Sequence, residues 1–282
     1  MYVTDTVYTQ WNVMNDIDLE RPYIQFEDVS KAFGEKVVLR DVSFDVKSGE
    51  TVCILGRSGV GKSVTLHHIM GFLKPDSGRV WVAQEDITDY PEQELERIRK
   101  KVTMVFQNGA LFDSLSVGEN VAFPLRERGD LNESQIFQIV DGLLEMVNVG
   151  EYRDQLPSGL STGMKRSVAI ARALAAQPEA ILYDEPTTMV DPLTAHLLGD
   201  LIKKLKYQLK LTSVVVTHDM ALAKKVGDRI VFLDEGQVVF FGTPAEMAQS
   251  ELEIVREFLT LDSLDLEYWR GRQHPPAPPP SQ

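Results

Sequence analysis

The stretch Gly56-Arg57-Ser58-Gly59-Val60-Gly61-Lys62-Ser63 sets two glycines, with four residues between them, ahead of a lysine and a hydroxyl. That spacing suits the grasp of phosphate. Glycine at 56, 59 and 61 keeps side chains out of the way, so backbone N–H groups can wrap an oxyanion. Lys62 can then reach the β and γ phosphates of a triphosphate, and the Ser63 hydroxyl can ligate Mg2+. A ligand-free, glycine-rich turn is the plainer alternative, and the flanks weigh against it. Thr51-Val52-Cys53-Ile54-Leu55 is apolar and partly β-branched, as a buried parallel strand requires. Val64-Thr65-Leu66-His67-His68-Ile69-Met70 can continue as a helix whose N-terminus adds the positive end of its dipole.

A second set of reactive side chains follows the apolar run Ala180-Ile181-Leu182-Tyr183, which passes directly into Asp184-Glu185. Open α/β sheets present ligand groups at the carboxyl edge of their strands. There Asp184 would hold Mg2+, directly or through water, and Glu185 would polarise an attacking water as general base. A solvated acidic turn is the alternative, although Pro186-Thr187-Thr188 is an unusual way to build one. His218 also ends an apolar strand, where it could hydrogen-bond a γ-phosphate oxygen or bond to backbone. Phe33, expected in a turn before Gly34, reads as an aromatic on a local apolar patch or as a platform for a flat base. His67 and His68 read as helix packing or surface residues.

Strands and helices must bring these groups together. Residues 24–29, 37–39 and 42–46 alternate as antiparallel strands leading to the phosphate-loop strand. Beyond the loop helix come a turn at Lys74-Pro75-Asp76-Ser77-Gly78, a strand over 79–83, a charged helix from Glu92 to Lys101, and a buried strand from Val102 to Phe106 ending at Gln107. Apolar residues recur at spacings of three and four from Leu115 to about Gln155, and a further helix is expected from Leu160 to Ala176. This helical block interrupts the strands, which predicts a subdomain inserted into the core. A helix from Pro192 to Lys206, a strand over 212–217, two more strands over 229–233 and 238–241, and a short helix from Pro244 complete an α/β fold.

The composition sets outer limits. The 282 residues and 43% apolar content allow one large domain with a substantial core. Acidic residues outnumber basic ones by 42 to 29, against a protein that wraps nucleic acid by bulk charge. The single cysteine, Cys53, excludes an internal disulfide and reads as packing. No apolar run approaches the roughly 18 residues that cross a bilayer, so the chain is expected in the cytosol, with any membrane spans supplied by another subunit. Residues 1–22 read as an acidic extension, 23–250 as the main domain with its helical part over about 108–176, and 251–282 as an extension ending in a Pro-rich tail.

Taken in order, these pieces resemble the ATP-binding cassette (ABC) ATPases from about Tyr23 to Ser250. The resemblance implies a P-loop NTPase core with a RecA-like parallel sheet, an antiparallel β subdomain and an inserted α-helical subdomain. It implies that Leu160-Ser161-Thr162-Gly163-Met164 is the signature loop, Gln107 the Q-loop glutamine that ligates Mg2+ and takes part in catalysis, and Val190-Asp191-Pro192 the D-loop. His218 becomes the switch histidine and Phe33 the aromatic on adenine. With Lys62 and Glu185 catalytic, the nucleotide contacts would be Phe33, Gly56 through Val64, Ser161, Thr162, Gly163, Met164 and Asp191. Two head-to-tail copies would enclose ATP and Mg2+, each closed by the other's signature loop. Thr162 departs from the family's usual glycine and Met164 from a frequent glutamine, and since Thr tolerates fewer backbone angles than Gly, the closed geometry of the two copies is expected to be strained or shifted.

The segment from Phe106 to Leu125 resembles the ATPases of MCE-type phospholipid transporters, including the maintenance-of-lipid-asymmetry system. That likeness implies a homodimer on the cytoplasmic face of the inner membrane, with a permease docking near Gln107, an MCE lipid-binding protein and a small cytoplasmic regulatory subunit. The C-terminal tail after Leu261 would reach the sister ATPase. An importer of small polar solutes is the alternative within transport. A soluble cassette acting on nucleic acid or the ribosome would be expected to bring coiled coils, zinc cysteines or a second cassette, and none is present. A cassette that binds ATP without turning it over is the third reading.

Overall fold

The computed structural model describes residues 21–260. Most of both terminal extensions, including the tail expected to reach a sister subunit, lies outside the described residues.

Among the described residues, ten strands form two sheets. The antiparallel sheet has the order β2-β1-β4-β5, from β1 (Ile24–Phe33), β2 (Lys36–Val46), β4 (Ser77–Val82) and β5 (Glu85–Asp86). The six-stranded sheet runs β10-β9-β3-β8-β7-β6, from β3 (Thr51–Leu55), β6 (Val102–Val105), β7 (Ala180–Asp184), β8 (Thr212–Val216), β9 (Arg229–Asp234) and β10 (Gln237–Gly242). Its pairings are parallel except for the β9–β10 hairpin. Parallel strands buried on both faces read as near-continuous apolar runs, which explains 52–55 and 214–216; the buried Thr51, Thr212 and Ser213 precede them. On β3, Cys53 and Leu55 enter one core cluster while Val52 and Ile54 enter the other. The first cluster is shared with the helical block and the second with the antiparallel sheet, so both subdomains are packed directly on the sheet that carries the phosphate loop.

The helices among the described residues are α1 (Lys62–Ile69), α2 (Glu92–Lys101), α3 (Val117–Arg128), α4 (Glu133–Met146), α5 (Thr162–Ala175), α6 (Pro192–Leu209), α7 (Met220–Val226) and α8 (Pro244–Ala248), followed by a helical stretch over 253–260. Helices α3 to α5 lie between β6 and β7 in sequence. Ser116 and Asn132 begin α3 and α4 with reciprocal caps to Glu119 and Gln135. No helix among the described residues is long and apolar enough to cross a membrane.

Several expected boundaries shift. Phe33 is the last residue of β1 rather than part of the turn, because it pairs with Lys36 across the Gly34-Glu35 reversal. The runs at 37–39 and 42–46 are one strand, β2, whose register slips around Asp41, a residue with φ +48°. Ser77 and Gly78 belong to β4, so the expected turn is shortened to Lys74-Pro75-Asp76, and β4 itself ends in a second turn at Ala83-Gln84. Helix α5 starts at Thr162, with Ser161 as its cap, and α6 continues to Leu209. The expected helical run over 115–155 breaks at Gly129, where a left-handed backbone ends α3.

Candidate functional site

Three neighbouring strands, β3, β8 and β7, end at one edge and deliver the phosphate loop, His218 and the Asp184-Glu185 pair there. The loop from Gly56 to Gly61 joins β3 to α1. Gly56, Gly59 and Gly61 have φ of +155°, +83° and +106°, backbone that side chains disfavour. Gly56 also rests on β9: a Cβ there would stand 2.4 Å from the Leu233 carbonyl oxygen and 2.8 Å from Val60 Cγ2. Both conformation and close approach require glycine at this position.

Lys62 is buried and its Nζ turns back into the loop, donating to the carbonyls of Gly56 at 2.8 Å and Arg57 at 3.1 Å. It also lies 3.5 Å from Glu185 Oε1. Ser63 Oγ donates to Asp184 Oδ1 at 2.9 Å. Burial pushes the Asp184 carboxyl upward, the bond from Ser63 opposes this, and the Glu185 charge adds to the rise. Among the described residues, no group of three or more His, Cys, Asp or Glu could hold a metal ion. The hydroxyl and carboxylate nevertheless form the oxygen donor pair that suits Mg2+ brought in by phosphates.

Glu185 is the most constrained side chain of the site. Its backbone is left-handed at φ +47°, and its N–H is tied to the Val216 carbonyl at 2.9 Å. One oxygen, Oε2, takes bonds from His218 Nδ1 at 2.8 Å and Thr188 Oγ1 at 2.9 Å. Burial works to raise its pKa, but the bond and charge of His218, then Lys62 and Thr188, hold it below the usual carboxylate range. The same bond raises His218 above an ordinary imidazole, with burial opposing. The charged form of Glu185 is therefore favoured, with Oε2 held by two donors and Oε1 facing Lys62.

Gln107 is exposed two residues beyond β6, at the same edge, since β6 pairs alongside β7. Phe33 is 48% exposed, with the Lys31 ammonium 5.7 Å from its ring centre. Residues 161–164, expected to form the signature loop, stand apart: no hydrogen bond among the described residues joins them to the phosphate loop. Ser161 caps α5 by accepting from Met164 N–H at 3.3 Å. Gly163 is packed so tightly that a Cβ would lie 2.2 Å from Thr194 Cγ2. Asp191, the cap of α6, accepts from the N–H and hydroxyl of that same Thr194 at 3.0 and 2.5 Å. A groove of about 440 Å³ opens here, lined among others by Ser161, Met164, Leu197 and Lys204. Thr162 has no left-handed backbone, so a single copy places no backbone strain at that position.

Sequence reasoning passed over Thr188. Its signal is a hydroxyl three residues beyond Glu185, which the turn at 185–188 folds back onto the carboxylate, with Thr188 N–H donating to the Glu185 carbonyl at 3.2 Å.

The ABC transporter family model matches residues 39–188. A chloroplastic protein of Arabidopsis thaliana named for trigalactosyldiacylglycerol is 40% identical over 89% of this chain and 76% of its own length. The intermembrane phospholipid transport ATP-binding protein of Haemophilus influenzae is 38% identical over 85% and 91%. The methionine import ATP-binding protein of Cupriavidus metallidurans is 41% identical over 78% and 64%. The solved dimer of an ATP-binding cassette in a post-hydrolysis state with ADP and Pi superposes with a TM-score of 0.72 at 35% identity, covering 78% of this chain and 98% of that one.

Proposed function

The chain belongs to the ABC transporter family, whose ATPase subunits hydrolyse ATP, and we propose that it powers phospholipid transport from a site built by Lys62, Ser63, Asp184, Glu185 and His218. The observation that carries the reading is their meeting at one sheet edge around a loop that only glycine can form. Lys62 leaves the Gly56 and Arg57 carbonyls for the β and γ phosphates, exchanging neutral acceptors for charged ones. Backbone N–H groups from Gly56 through Val64, including Arg57, Ser58, Gly59, Val60 and Gly61, cradle the phosphates, and Phe33 offers its exposed face to adenine. Ser63, Asp184 and Gln107 would hold Mg2+, which supplies charge neutralisation on the phosphates. Glu185 accepts the proton of the attacking water, while His218 and Thr188 keep its other oxygen in place.

The signature group, Ser161, Thr162, Gly163 and Met164, together with Asp191, is assigned to the second copy's nucleotide in a head-to-tail homodimer. Its separation from the chain's own phosphate loop supports that assignment. On this reading the ATPase unit spans 23–250, with its helical part at about 108–176. Phe112 and Phe123, 43% and 38% exposed with ring centres 4.8 Å apart, follow Gln107 and offer a permease an apolar seat. The complex would sit on the cytoplasmic face of the inner membrane, with an MCE lipid-binding protein and a small regulatory subunit, and without nucleic acid. The likeness to a phospholipid system over nearly the whole of that relative favours lipid as cargo. The likeness to a methionine importer favours a small polar solute as the second reading.

Replacing Glu185 by Gln should reduce ATP turnover by at least 100-fold while ATP binding persists, since the variant keeps the shape and loses the base. Unchanged turnover would defeat the assigned role. Purification from native membranes with the bound permease, followed by analysis of co-purifying lipid and amino acid, separates the two cargo readings.

A further inference from the structure

The backbone over 253–260 is helical and is anchored behind the phosphate loop. Val255 is fully buried, and the Phe258 ring lies 5.0 Å from that of Phe232 on β9. The next residue of β9, Leu233, presents the carbonyl against which Gly56 rests. Beside this contact, Arg57 Nη2 meets Glu257 Oε2 at 3.2 Å. Arg57 also gives its carbonyl oxygen to Lys62 Nζ at 3.1 Å. Glu257, Arg57 and Lys62 thus form a relay from the 253–260 helix to the lysine of the phosphate site.

We propose that Glu257 is a positioning residue that sets ATP affinity by holding the Arg57 guanidinium beside the phosphate loop. The inference rests on the ATP-binding reading above. Glu257 does not itself touch phosphate. A triphosphate approaching the loop competes with it for Arg57, and a carboxylate that wins part of that competition weakens binding. Both side chains are about half exposed, at 51% and 55%, so water and salt screen the pair and its effect is modest. Docking of the helix depends on Val255 and Phe258, so the charge at 257 can be changed without unseating it.

The test uses the full chain and measures KM for ATP, kcat, and direct binding of a fluorescent ATP analogue. Glu257→Gln should lower KM by about two- to fivefold with kcat unchanged, the range an exposed ion pair supports. The ratio to wild type should shrink as salt rises from about 50 to 500 mM, because a charge effect is screened and a packing effect is not. Glu257→Asp should fall between the two, and the effect of Glu257→Gln should vanish in an Arg57→Gln background. Phe258→Ala, which loosens the helix, should shift KM in the same direction. An unchanged KM in Glu257→Gln at low salt, or an equal shift without Arg57, overturns the proposal. Lys62→Ala serves as the control: undiminished nucleotide binding there would defeat the ATP-site reading itself, independently of the Glu257 result.

Discussion

Alanine at each glycine of the phosphate loop should damage nucleotide binding in an order fixed by geometry. At Gly56 the new Cβ would sit 2.4 Å from a carbonyl oxygen and 2.8 Å from Val60 Cγ2, in a backbone at φ +155°. A relaxed carbon–oxygen contact is about 3.3 Å, so something must move by roughly 0.9 Å. The crowding costs about 1–3 kcal/mol, as overpacked sites do, and the disfavoured backbone another 1–3 or so, for about 2–6 in all. Charged to nucleotide affinity, that is a loss of roughly 30-fold to more than 1,000-fold, at about 1.4 kcal/mol per factor of ten. Gly61 is also crowded, with Leu39 Cδ2 at 2.7 Å and the Val38 carbonyl oxygen at 2.9 Å. Gly59 has nothing within 4 Å at φ +83°, so only the backbone cost of about 1–3 kcal/mol applies, roughly five- to 150-fold. Titration of a fluorescent ATP analogue into each full-length variant, with unfolding midpoints recorded without nucleotide, reads both consequences. A Gly59→Ala variant that binds more weakly than Gly56→Ala, or a Gly56→Ala variant that binds and melts like the wild type, would refute the reasoning.

Thr188→Val should lower ATP turnover by about tenfold and leave ATP binding within about twofold, because it deletes one of the two donors on Glu185 Oε2, and a bond to a charged group is worth about 1.5–3 kcal/mol; Thr188→Ser should restore turnover, and an equally slow Ser variant would argue against the bond. His68 should make the fold acid-sensitive. It is buried beside Phe26, its Nδ1 lies 2.8 Å from the Val64 carbonyl and its Nε2 has no partner. Burial lowers its pKa; the Val64 bond and Asp76 oppose this, while Lys31 and His67 add to it. The unfolded chain takes a proton near pH 6.5 that the folded one refuses, so stability is full above that pH and falls below it, by at most about 1.4 kcal/mol per pH unit from this residue. His68→Phe should flatten unfolding midpoints between pH 6.5 and 5 relative to wild type, and an identical pH slope would contradict it.

The parts of the fold legible in the sequence were those whose residues obey one local rule. β3, β7 and β8 are buried on both faces, so each carries a run of consecutive apolar residues, 52–55, 180–183 and 214–216, that announces itself in the sequence. The phosphate loop was legible because its glycines are demanded by backbone conformation. What escaped depends on how the chain folds back to bring a residue to its partner, whether three positions away or two hundred. Phe33 is drawn into β1 by its pairing with Lys36, and the two short runs before the loop fuse into β2 because β1 supplies a continuous neighbour that tolerates a slipped register. The bond from Thr188 to Glu185 exists only because the turn folds back on itself, and the meeting of Arg57 with Glu257 spans two hundred positions. The first leaves only the spacing of a hydroxyl three residues beyond the carboxylate, and the second leaves no mark in periodicity or composition.

The signature loop shows how a motif comparison and a packing argument can assign the same rule to different residues. Compared with its family, the unusual residue is Thr162, and conformational preference suggested strain there. Within one copy, Thr162 occupies the first turn of α5, where φ is negative and any L-residue fits. The steric demand lies one residue on, because the Thr194 methyl group stands where a side chain at Gly163 would begin. Thr194 is fixed in turn by the two bonds to the Asp191 carboxylate, whose pKa those bonds hold below the ordinary range. The signature helix and the start of α6 are therefore one packed unit, clamped by a carboxylate, a hydroxyl and a missing side chain. A displacement of α6 must be felt at Gly163, whereas the extra methyl and hydroxyl of Thr162 project to solvent and leave that contact intact.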